Sequence, residues 1–322
     1  MEKLDKDNNF ELTEWDIIQV SGQDSLVFLQ NLITIDVAKL LPSDGLAFGE
    51  KHLKLGGFCT PQGRLLATFW ISRHIVNQIE IFNIWLSKDI AQDFANKLSR
   101  YILRSKVKIE YPLQDTAILG EIYENDINLS SNPQVDLRGF MIRLPDVTHQ
   151  GINFARTLQI THKNIATKFN ENLTLLNLWN ILEIESGLPR VVTKTQGLFV
   201  PQMINFESIG GIDFKKGCYP GQEVVARSQY RGTIKRRLKI AEIHINSLEN
   251  LPKPGDEIFS SNDFDQPVGI VVLSSQDIGS NKALVQVELK LEAINKTLVL
   301  KNESGLSHEL IIRDAPYPLL EI

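Results

Sequence analysis

The segment around Cys218 combines a thiol with groups that can activate a thiol. In the stretch KKGCYPGQEVVAR, two lysines precede the cysteine, and Pro220 suits the first turn of a helix that begins there. A helix N-terminus and nearby ammonium groups both favour the thiolate, so Cys218 could serve as a nucleophile. The alternative is a small buried residue, as free cysteines often are. Because no histidine or asparagine partner can be assigned to Cys218, the residue types alone favour the buried alternative.

A second feature is a carboxylate on the apolar side of a predicted helix. The stripe Leu175, Leu178, Leu182 continues at a spacing of three residues onto Glu185. An unpaired carboxylate in that position is costly, so it needs a partner. Glu185 could accept hydrogen bonds from two parallel N–H donors of a ligand such as a pterin. Alternatively, a backbone amide or an arginine such as Arg190 satisfies it, and the periodicity alone favours this second interpretation.

Two tryptophans are candidates for ligand stacking. Trp179 belongs to the same predicted helix as Glu185, and Trp15 opens a predicted strand near the start of the chain. Most indoles are part of a hydrophobic core, although an indole face in a cleft also stacks well on a flat heteroaromatic ring. The sequence pattern leaves both alternatives open.

Residues 227–239, RSQYRGTIKRRLK, form a basic run without an acidic residue. Arginine and lysine side chains bind RNA phosphates, and the tyrosine in the run could add base stacking. The alternative is a solvated strand or linker face, which fits a chain of net charge −5. The cations of the run are Arg227, Arg231, Lys235, Arg236, Arg237 and Lys239.

Hydrophobic periodicity indicates the elements that position these residues. We interpret the first portion as ferredoxin-like, a fold whose order is β-α-β-β-α-β, here with one additional strand. Its predicted elements are a strand at 15–20, a helix from 24 to 33, strands at 51–59 and 64–72 around the turn TPQG, a strand at 78–85, a helix at 88–101 and a strand near 107.

The remainder of the chain divides into two further portions. The second contains strands such as 139–144 and a helix over 175–186 that Gly187 and Pro189 terminate. After Lys239, short strands alternate with turns, including one at 301–305, and predict a β-barrel or sandwich. The predicted portions are 1–112 (ferredoxin-like α+β), 113–238 (a second α+β portion) and 239–322 (C-terminal barrel).

The composition excludes several classes of protein. Of the 322 residues, 43% are hydrophobic and 23% are charged, which is ordinary for a globular chain and argues against disorder or a membrane protein. The start lacks the pattern of a secretory leader, so we expect cytoplasmic residence. The two cysteines, Cys59 and Cys218, cannot supply the four ligands of a structural zinc or iron–sulfur site, and we expect no metal.

The string Lys216-Gly217-Cys218-Tyr219-x-Gly221-Gln222-Glu223 resembles the signature of the YgfZ family. These are bacterial folate-binding proteins associated with tRNA modification and with the upkeep of iron–sulfur enzymes. Similarity continues through residues 210–215, 226–227, 231–232 and 235–236, and extends faintly from Trp15 to Pro318. The resemblance implies an α+β fold like that of the glycine-cleavage T-protein, in which ferredoxin-like portions form a folate cleft and a β-barrel follows.

The resemblance also assigns roles to residues. Trp15 and Trp179 match tryptophans associated with folate binding, and Glu185 matches the glutamate that recognises the pterin in T-proteins. The cofactor implied is tetrahydrofolate or a derivative. Cys218 matches the signature cysteine, for which cofactor contact, redox sensing and a structural role remain open.

One departure from T-proteins concerns catalysis. T-proteins carry an Asp-Asp pair on the strand after the Thr-Pro-x-Gly turn, where a carboxylate can polarise the amine that is transferred. This chain has Ala67 and Thr68 at those places, and neither side chain can carry a charge. We therefore expect no glycine-cleavage activity.

The resulting expectation is a cytoplasmic, monomeric folate-binding protein that contacts no membrane. It would support tRNA modification, with iron–sulfur tRNA-modifying enzymes as partners. Two alternatives remain, namely a folate-dependent one-carbon transferase or demethylase that uses Cys218, and a protein that binds tRNA directly through the basic run.

Overall fold

The computed structural model describes residues 9–124, 140–166, 169, 172–245, 250–277, 280–301 and 307–320. Position 139 of the predicted strand and positions 302–305 of the predicted turn lie outside these residues. The strands are β1 (Asn9–Glu11), β2 (Trp15–Ser21), β3 (Leu46–Phe48), β4 (Leu53–Cys59), β5 (Leu65–Val76), β6 (Ile79–Ser87), β7 (Lys108–Glu110), β8 (Thr116–Glu124), β9 (Met141–His149), β10 (Ile152–His162), β11 (Arg236–His244), β12 (Glu257–Ser260), β13 (Gly269–Asp277), β14 (Lys282–Lys290), β15 (Leu298–Lys301) and β16 (Ser307–Arg313). The helices are α1 (Ser25–Gln30), α2 (Lys88–Ser99), α3 (Lys163–Ala166), α4 (Leu173–Glu185) and α5 (Gln222–Tyr230).

The first sheet has the strand order β4-β5-β6-β2-β7. The predicted hairpin is confirmed, because β4 and β5 pair antiparallel on either side of the TPQG turn. Helix α2 buries Ile90, Phe94 and Leu98 against this sheet, and the spacing of four residues between them is the apolar stripe of a surface helix. The sheet and its helices form the base of the first hydrophobic core.

The second sheet has the order β1-β8-β10-β9-β3. Strands β1 and β3 come from the first hundred residues, and β3 joins parallel to β9. The sequence position 112 therefore does not separate the two sheets. Conversely, the segment 181–225, which follows position 112, packs into the core of the first sheet. Its contributing residues include Phe199, Phe206 and Val225.

The C-terminal strands close into a barrel with the order β11-β14-β13-β12-β15-β16. The predicted α+β class and the C-terminal barrel are thus confirmed. Helix α4 contacts β9 of the second sheet and also β13 and β14 of the barrel. Because α4 is apolar on nearly all sides, it is stable only when enclosed in this way.

Candidate functional site

A cavity of about 620 Å³ lies where the two sheets and α5 meet, and we call it the main cavity. Its aromatic lining consists of Phe48 from the end of β3, Trp70 from the middle of β5, Phe214, and Tyr230 from the end of α5. Its cationic lining consists of Lys54 from β4, Arg143 from β9, and Lys215. Glu50 and Asp213 line the same cavity, so its charged lining has three cationic and two acidic side chains. Its volume and aromatic walls are those of a site for a small organic ligand with a flat ring.

Several contacts hold the polar lining in place. The Arg143 guanidinium lies 4.4 Å from the ring centroid of Phe48, and its Nη2 donates to Asp146 at 2.7 Å. Asp213 accepts from the Lys39 ammonium at 2.9 Å and from the Lys215 backbone N–H at 2.8 Å. Partial burial acts to raise the pKa of Asp213, but these hydrogen bonds outweigh it and lower the pKa below its ordinary value. The carboxylate is therefore ionised at neutral pH.

Behind the main cavity lies a smaller space of about 30 Å³, which we call the inner recess. Leu55 and Trp70 line both spaces, and they are direct cross-strand neighbours in β4 and β5. Thr68 also lines the recess, two positions before Trp70 and hence on the same face of β5. The two spaces therefore share a wall.

An ion pair that the sequence did not indicate borders the inner recess. Arg190 bonds both carboxylate oxygens of Glu183 at 3.1 Å, and it also donates to Ser87 at 2.9 Å and to Glu14 at 3.1 Å. The Arg190 guanidinium lies 5.2 Å from the ring centroid of Trp15. Burial acts to lower the pKa of Arg190, whereas Glu183 and Glu14 outweigh this and raise it. The pair forms one wall of the recess, and Arg190 stays protonated there.

The structure places the three predicted folate residues in different environments. Trp15 is 6% exposed and lines the inner recess. Trp179 is fully buried, with Phe10 at its edge at 6.0 Å and the Arg156 guanidinium 5.3 Å from its ring centroid. An open indole face is thus not available at Trp179, because its side of α4 is buried against Phe10 and Arg156.

Glu185 is satisfied by protein groups. It accepts from Arg313 and lies 3.3 Å from the His149 ring nitrogen. The arginine partner is Arg313 and not Arg190, so the pairing considered from the sequence is wrong. Burial acts to raise the pKa of Glu185, but the hydrogen bonds from His149 and Arg313 lower it overall. Among the described residues that line the main cavity or the inner recess, Glu185 and Trp179 do not occur.

The signature segment docks α5 onto the first sheet. The Lys216 ammonium donates to the carbonyl oxygens of Gln30 and Ile33 at the end of α1. Tyr219 is buried, and the Lys216 ammonium lies 5.1 Å from its ring centroid. Gly221 has φ +84° and packs directly against the TPQG turn. These residues of the signature have structural roles.

Cys218 is exposed, so the buried position favoured from its residue type is wrong. The neighbours Lys216 and Tyr219 point into the fold and leave Cys218 outside. Helix α5 begins at Gln222, four residues beyond the thiol. The buried cysteine is Cys59, and burial raises the pKa of its thiol to about 12. Gly217 and Glu223 are also exposed, whereas the Gln222 amide lies 3.4 Å from the Lys216 carbonyl.

The basic run divides into a paired half and an exposed half. Arg236 bonds Glu288 at 2.7 Å, Arg237 bonds the buried Glu207, and Lys239 bonds Asp314. Arg227, Arg231 and Lys235 are exposed around Tyr230. The exposed half therefore lies beside the main cavity, which Tyr230 lines.

The Thr68 hydroxyl forms two hydrogen bonds with the backbone, one as donor and one as acceptor. It donates to the Pro189 carbonyl at 3.2 Å and accepts from the Val191 N–H at 2.8 Å. Thr68 is 2% exposed, and Ala67 is fully buried. The position that resembles the T-protein carboxylate thus ties β5 to the segment 189–191.

The two sheets and the closed C-terminal barrel form a fold of the T-protein type. The structure is similar to the crystal structure of glycine cleavage system aminomethyltransferase T from Bartonella henselae, with a TM-score of 0.59 and 12% identity over 96% of this chain and 85% of that chain. No family model matches the chain.

Curated relatives identify the family. The chain is 28% identical over 329 residues to the tRNA-modifying protein YgfZ of Cronobacter sakazakii, covering 96% of this chain and 93% of the relative. It is 30% identical over 247 residues to the tRNA-modifying protein YgfZ of Hamiltonella defensa, covering 70% of this chain and 67% of the relative. The chain belongs to the YgfZ family, and the resemblance seen in the signature segment is confirmed.

Within the described parts of the chain, no group of three or more His, Cys, Asp or Glu side chains is placed to hold a metal ion. In the same parts, none of the helices combines the length and the apolar character that crossing a bilayer requires.

Proposed function

We propose that the main cavity binds a reduced folate and that the bound protein supports tRNA modification. The observation that carries the proposal is a cavity of about 620 Å³ with aromatic walls and cationic lining in a T-protein fold. A pteridine ring is flat and stacks on an indole or phenyl face. The glutamate tail of a folate is anionic and pairs with cations such as Lys54 and Lys215.

The proposed site differs from the residues assigned by resemblance. Trp70, rather than Trp179, offers a half-buried indole to the cavity. Trp15 lines the inner recess behind Trp70. In this proposal Glu185 does not contact the folate, and its partners are Arg313 and His149. Trp179 likewise does not contact the folate, and its ring packs against the Arg156 guanidinium.

The role in tRNA modification is supported by the names of the relatives, which are described as tRNA-modifying proteins. We propose that iron–sulfur enzymes acting on tRNA are the partners, with the folate-loaded protein sustaining their activity. Thr68 cannot ionise in the pH range of these reactions, which favours a binding role over aminomethyl transfer.

Titration with tetrahydrofolate tests the folate site directly. Trp70 and Trp85 are paired across β5 and β6, and only Trp70 lines the cavity. Tetrahydrofolate should quench tryptophan fluorescence in the wild type and in Trp85→Phe, and the quenching should be largely absent in Trp70→Phe. Equal quenching in the two variants, or no binding heat by calorimetry, would refute the assignment.

A cellular experiment tests the link to tRNA. Removing the chain from its host should lower the level of methylthio-modified nucleosides in tRNA, as measured by mass spectrometry. Wild type and Trp85→Phe should restore that level, and Trp70→Ala should not. Full restoration by a Trp70→Ala protein that has lost folate binding would separate tRNA modification from the cavity.

A further inference from the structure

The connection that follows helix α2 belongs to another run of cations in this acidic chain. Residues 97–108, KLSRYILRSKVK, contain five basic side chains and no acidic one, in a chain of net charge −5. Helix α2 ends at Ser99 and β7 begins at Lys108, so most of the run lies between these elements. The exposed residues of the connection, which we call the turn patch, are Arg100, Tyr101, Leu103, Arg104 and Lys106.

The protein does not neutralise the arginines of the turn patch. Among the described residues, Arg100 and Arg104 form no ion pair, and the Lys106 ammonium donates to the uncharged Gln23 amide at 3.1 Å. One carboxylate, Asp24, contacts the connection and accepts from the Lys106 backbone N–H at 2.7 Å. The other cations of the run are paired, Lys97 with Asp93 and Lys108 with Glu110.

Apolar side chains are exposed among these cations. Leu103 is 90% exposed and has φ +45°, a left-handed conformation that costs free energy for a residue with a Cβ. Tyr101 is 41% exposed, and its ring meets the Phe58 ring edge-on at 6.3 Å between centroids. The backbone therefore holds an apolar side chain out in water, which folding alone does not explain.

The turn patch rests on a fixed base. Ile102 and Val107, which alternate with its exposed residues, pack against the first core. The Ser105 N–H donates to the Ile102 carbonyl at 2.7 Å, and Asp24 holds the Lys106 backbone N–H. A surface that is already ordered loses little conformational entropy when a partner binds it.

A looped or single-stranded segment of RNA fits both properties of this surface. Its phosphates pair with guanidinium and ammonium groups, and its unstacked bases present flat faces to tyrosine and arginine side chains. A bilayer fits less well, because two exposed apolar side chains bury too little area for stable anchoring. The proposed role in tRNA modification favours RNA over an acidic protein surface.

We propose that the turn patch binds a looped segment of tRNA. Arg100, Arg104 and Lys106 pair with its phosphates, and Tyr101 and Leu103 contact its unstacked bases. This inference rests on the proposed role in tRNA modification and adds a direct contact with the RNA. The surface is distinct from the basic run at 227–239, and none of its residues lines the main cavity.

An unmodified tRNA transcript is the probe, with its affinity measured by fluorescence anisotropy at several salt concentrations. Arg100→Gln combined with Arg104→Gln should lower the magnitude of the salt slope by about 1.5, because two phosphate contacts are lost. The control, Lys253→Gln combined with Lys296→Gln, removes the same charge from exposed positions in the C-terminal portion and should retain the slope.

Two further variants test the apolar contacts. Tyr101→Leu keeps an apolar contact with Phe58 but loses the flat ring, and it should weaken binding at least about fivefold without changing the salt slope. Leu103→Gly should also weaken binding, although its urea midpoint should not fall, because glycine adopts a positive φ without strain. A purely structural role of Leu103 predicts the reverse pattern.

The outcomes separate this surface from the folate site. Equal loss of slope in the two double variants would refute the turn patch and assign tRNA binding to overall charge. Wild-type binding that none of the turn-patch variants alters would also refute it, as would the absence of wild-type tRNA binding, and tetrahydrofolate quenching would still test the folate site. Binding to phosphatidylglycerol vesicles that Leu103→Gly abolishes, with tRNA binding unchanged, would assign the patch to a membrane surface instead. Patch-dependent tRNA binding without tetrahydrofolate quenching would support the turn patch and refute the folate site.

Discussion

The buried pair of Arg237 and Glu207 shows how a charge can be structural within a basic run. The Glu207 side chain is fully buried, and Arg237 also donates to the Gln202 carbonyl at 3.1 Å. Replacing Arg237 by Met leaves the carboxylate uncompensated and should lower the free energy of unfolding by about 3–5 kcal/mol. The exposed Arg231→Met should change it by less than about 0.5 kcal/mol. Urea denaturation measures both values, and similar losses in the two variants would contradict the assignment.

Lys216 provides a second prediction, for pH dependence. Burial lowers the pKa of its ammonium from 10.5 to about 8, against the opposing charges of Asp36, Asp213 and Cys218. Between these two pH values the unfolded chain binds more protons at this position than the folded chain does. The stability of the wild type relative to Lys216→Met should therefore rise from pH 8 to pH 10.5 and be lowest below pH 8. Urea midpoints of the two proteins across this range test it, and a difference that falls with pH would contradict the direction.

The residues of the site could be predicted from the sequence only in part. The resemblance draws attention to Ala67 and Thr68, and strand alternation puts Trp70 on the same face of β5 as Thr68, so Trp70 could have been found. Phe48 and Tyr230 reach the cavity from distant segments, and no periodicity indicates such contacts. Trp179 and Glu185 lie on α4, whose surroundings depend on the barrel and the second sheet together.

At the scale of elements, two glycines of the signature test whether this segment is a docking device. At Gly221, with φ +84°, an added Cβ would lie 2.7 Å from the Gly63 Cα and even closer to the Thr60 carbonyl. Gly221→Ala should therefore lower the free energy of unfolding by at least about 1–3 kcal/mol. At Gly217 an added Cβ meets no atom within 4 Å, so Gly217→Ala should be nearly neutral. Equal stabilities of the two variants in urea would exclude the docking role.

Helix α5 and the segment that follows it carry the exposed half of the basic run, with Arg227 on the helix and Arg231 and Lys235 after it. If tRNA binds this face, Arg227→Gln, Arg231→Gln and Lys235→Gln combined should weaken binding and lower the magnitude of its salt slope by about 2. Filter binding at several salt concentrations measures the slope, with the exposed Lys296→Gln on the barrel as a control. An unchanged slope in the triple variant would exclude this face as the RNA site.

Elements with strong local signals were the most predictable. The hairpin around TPQG, helix α2 and helix α4 form where the spacing of apolar residues indicated them. The membership of β1 and β3 in the second sheet could not be predicted, because each strand is only three residues long and carries little periodicity. Their position follows from register with distant strands rather than from their own sequence.

At the scale of the whole molecule, the first core joins parts of the chain that the sequence divides. One hydrophobic cluster contains Ile18 of the first sheet, Phe206 of the loop before α5, and Leu238 and Val272 of the barrel. Units that share a core in this way are expected to unfold together. The main cavity is lined by the two sheets and the segment 209–230 and not by the barrel, so a ligand there should stabilise the barrel through the shared core.

Hydrogen exchange tests this coupling far from the cavity. At a folate concentration of 100 times Kd, a ligand that binds only the folded state stabilises it by about 2.7 kcal/mol, which slows exchange through global unfolding about 100-fold. The slowest amides of β13 and β14 in the barrel should therefore slow by this factor, as do those of β5. In Trp70→Ala at the same folate concentration, neither set should slow by a comparable amount. A ligand slows the exchange only of those amides whose opening also destroys the cavity. Slower exchange in β5 alone would therefore show that the barrel unfolds independently.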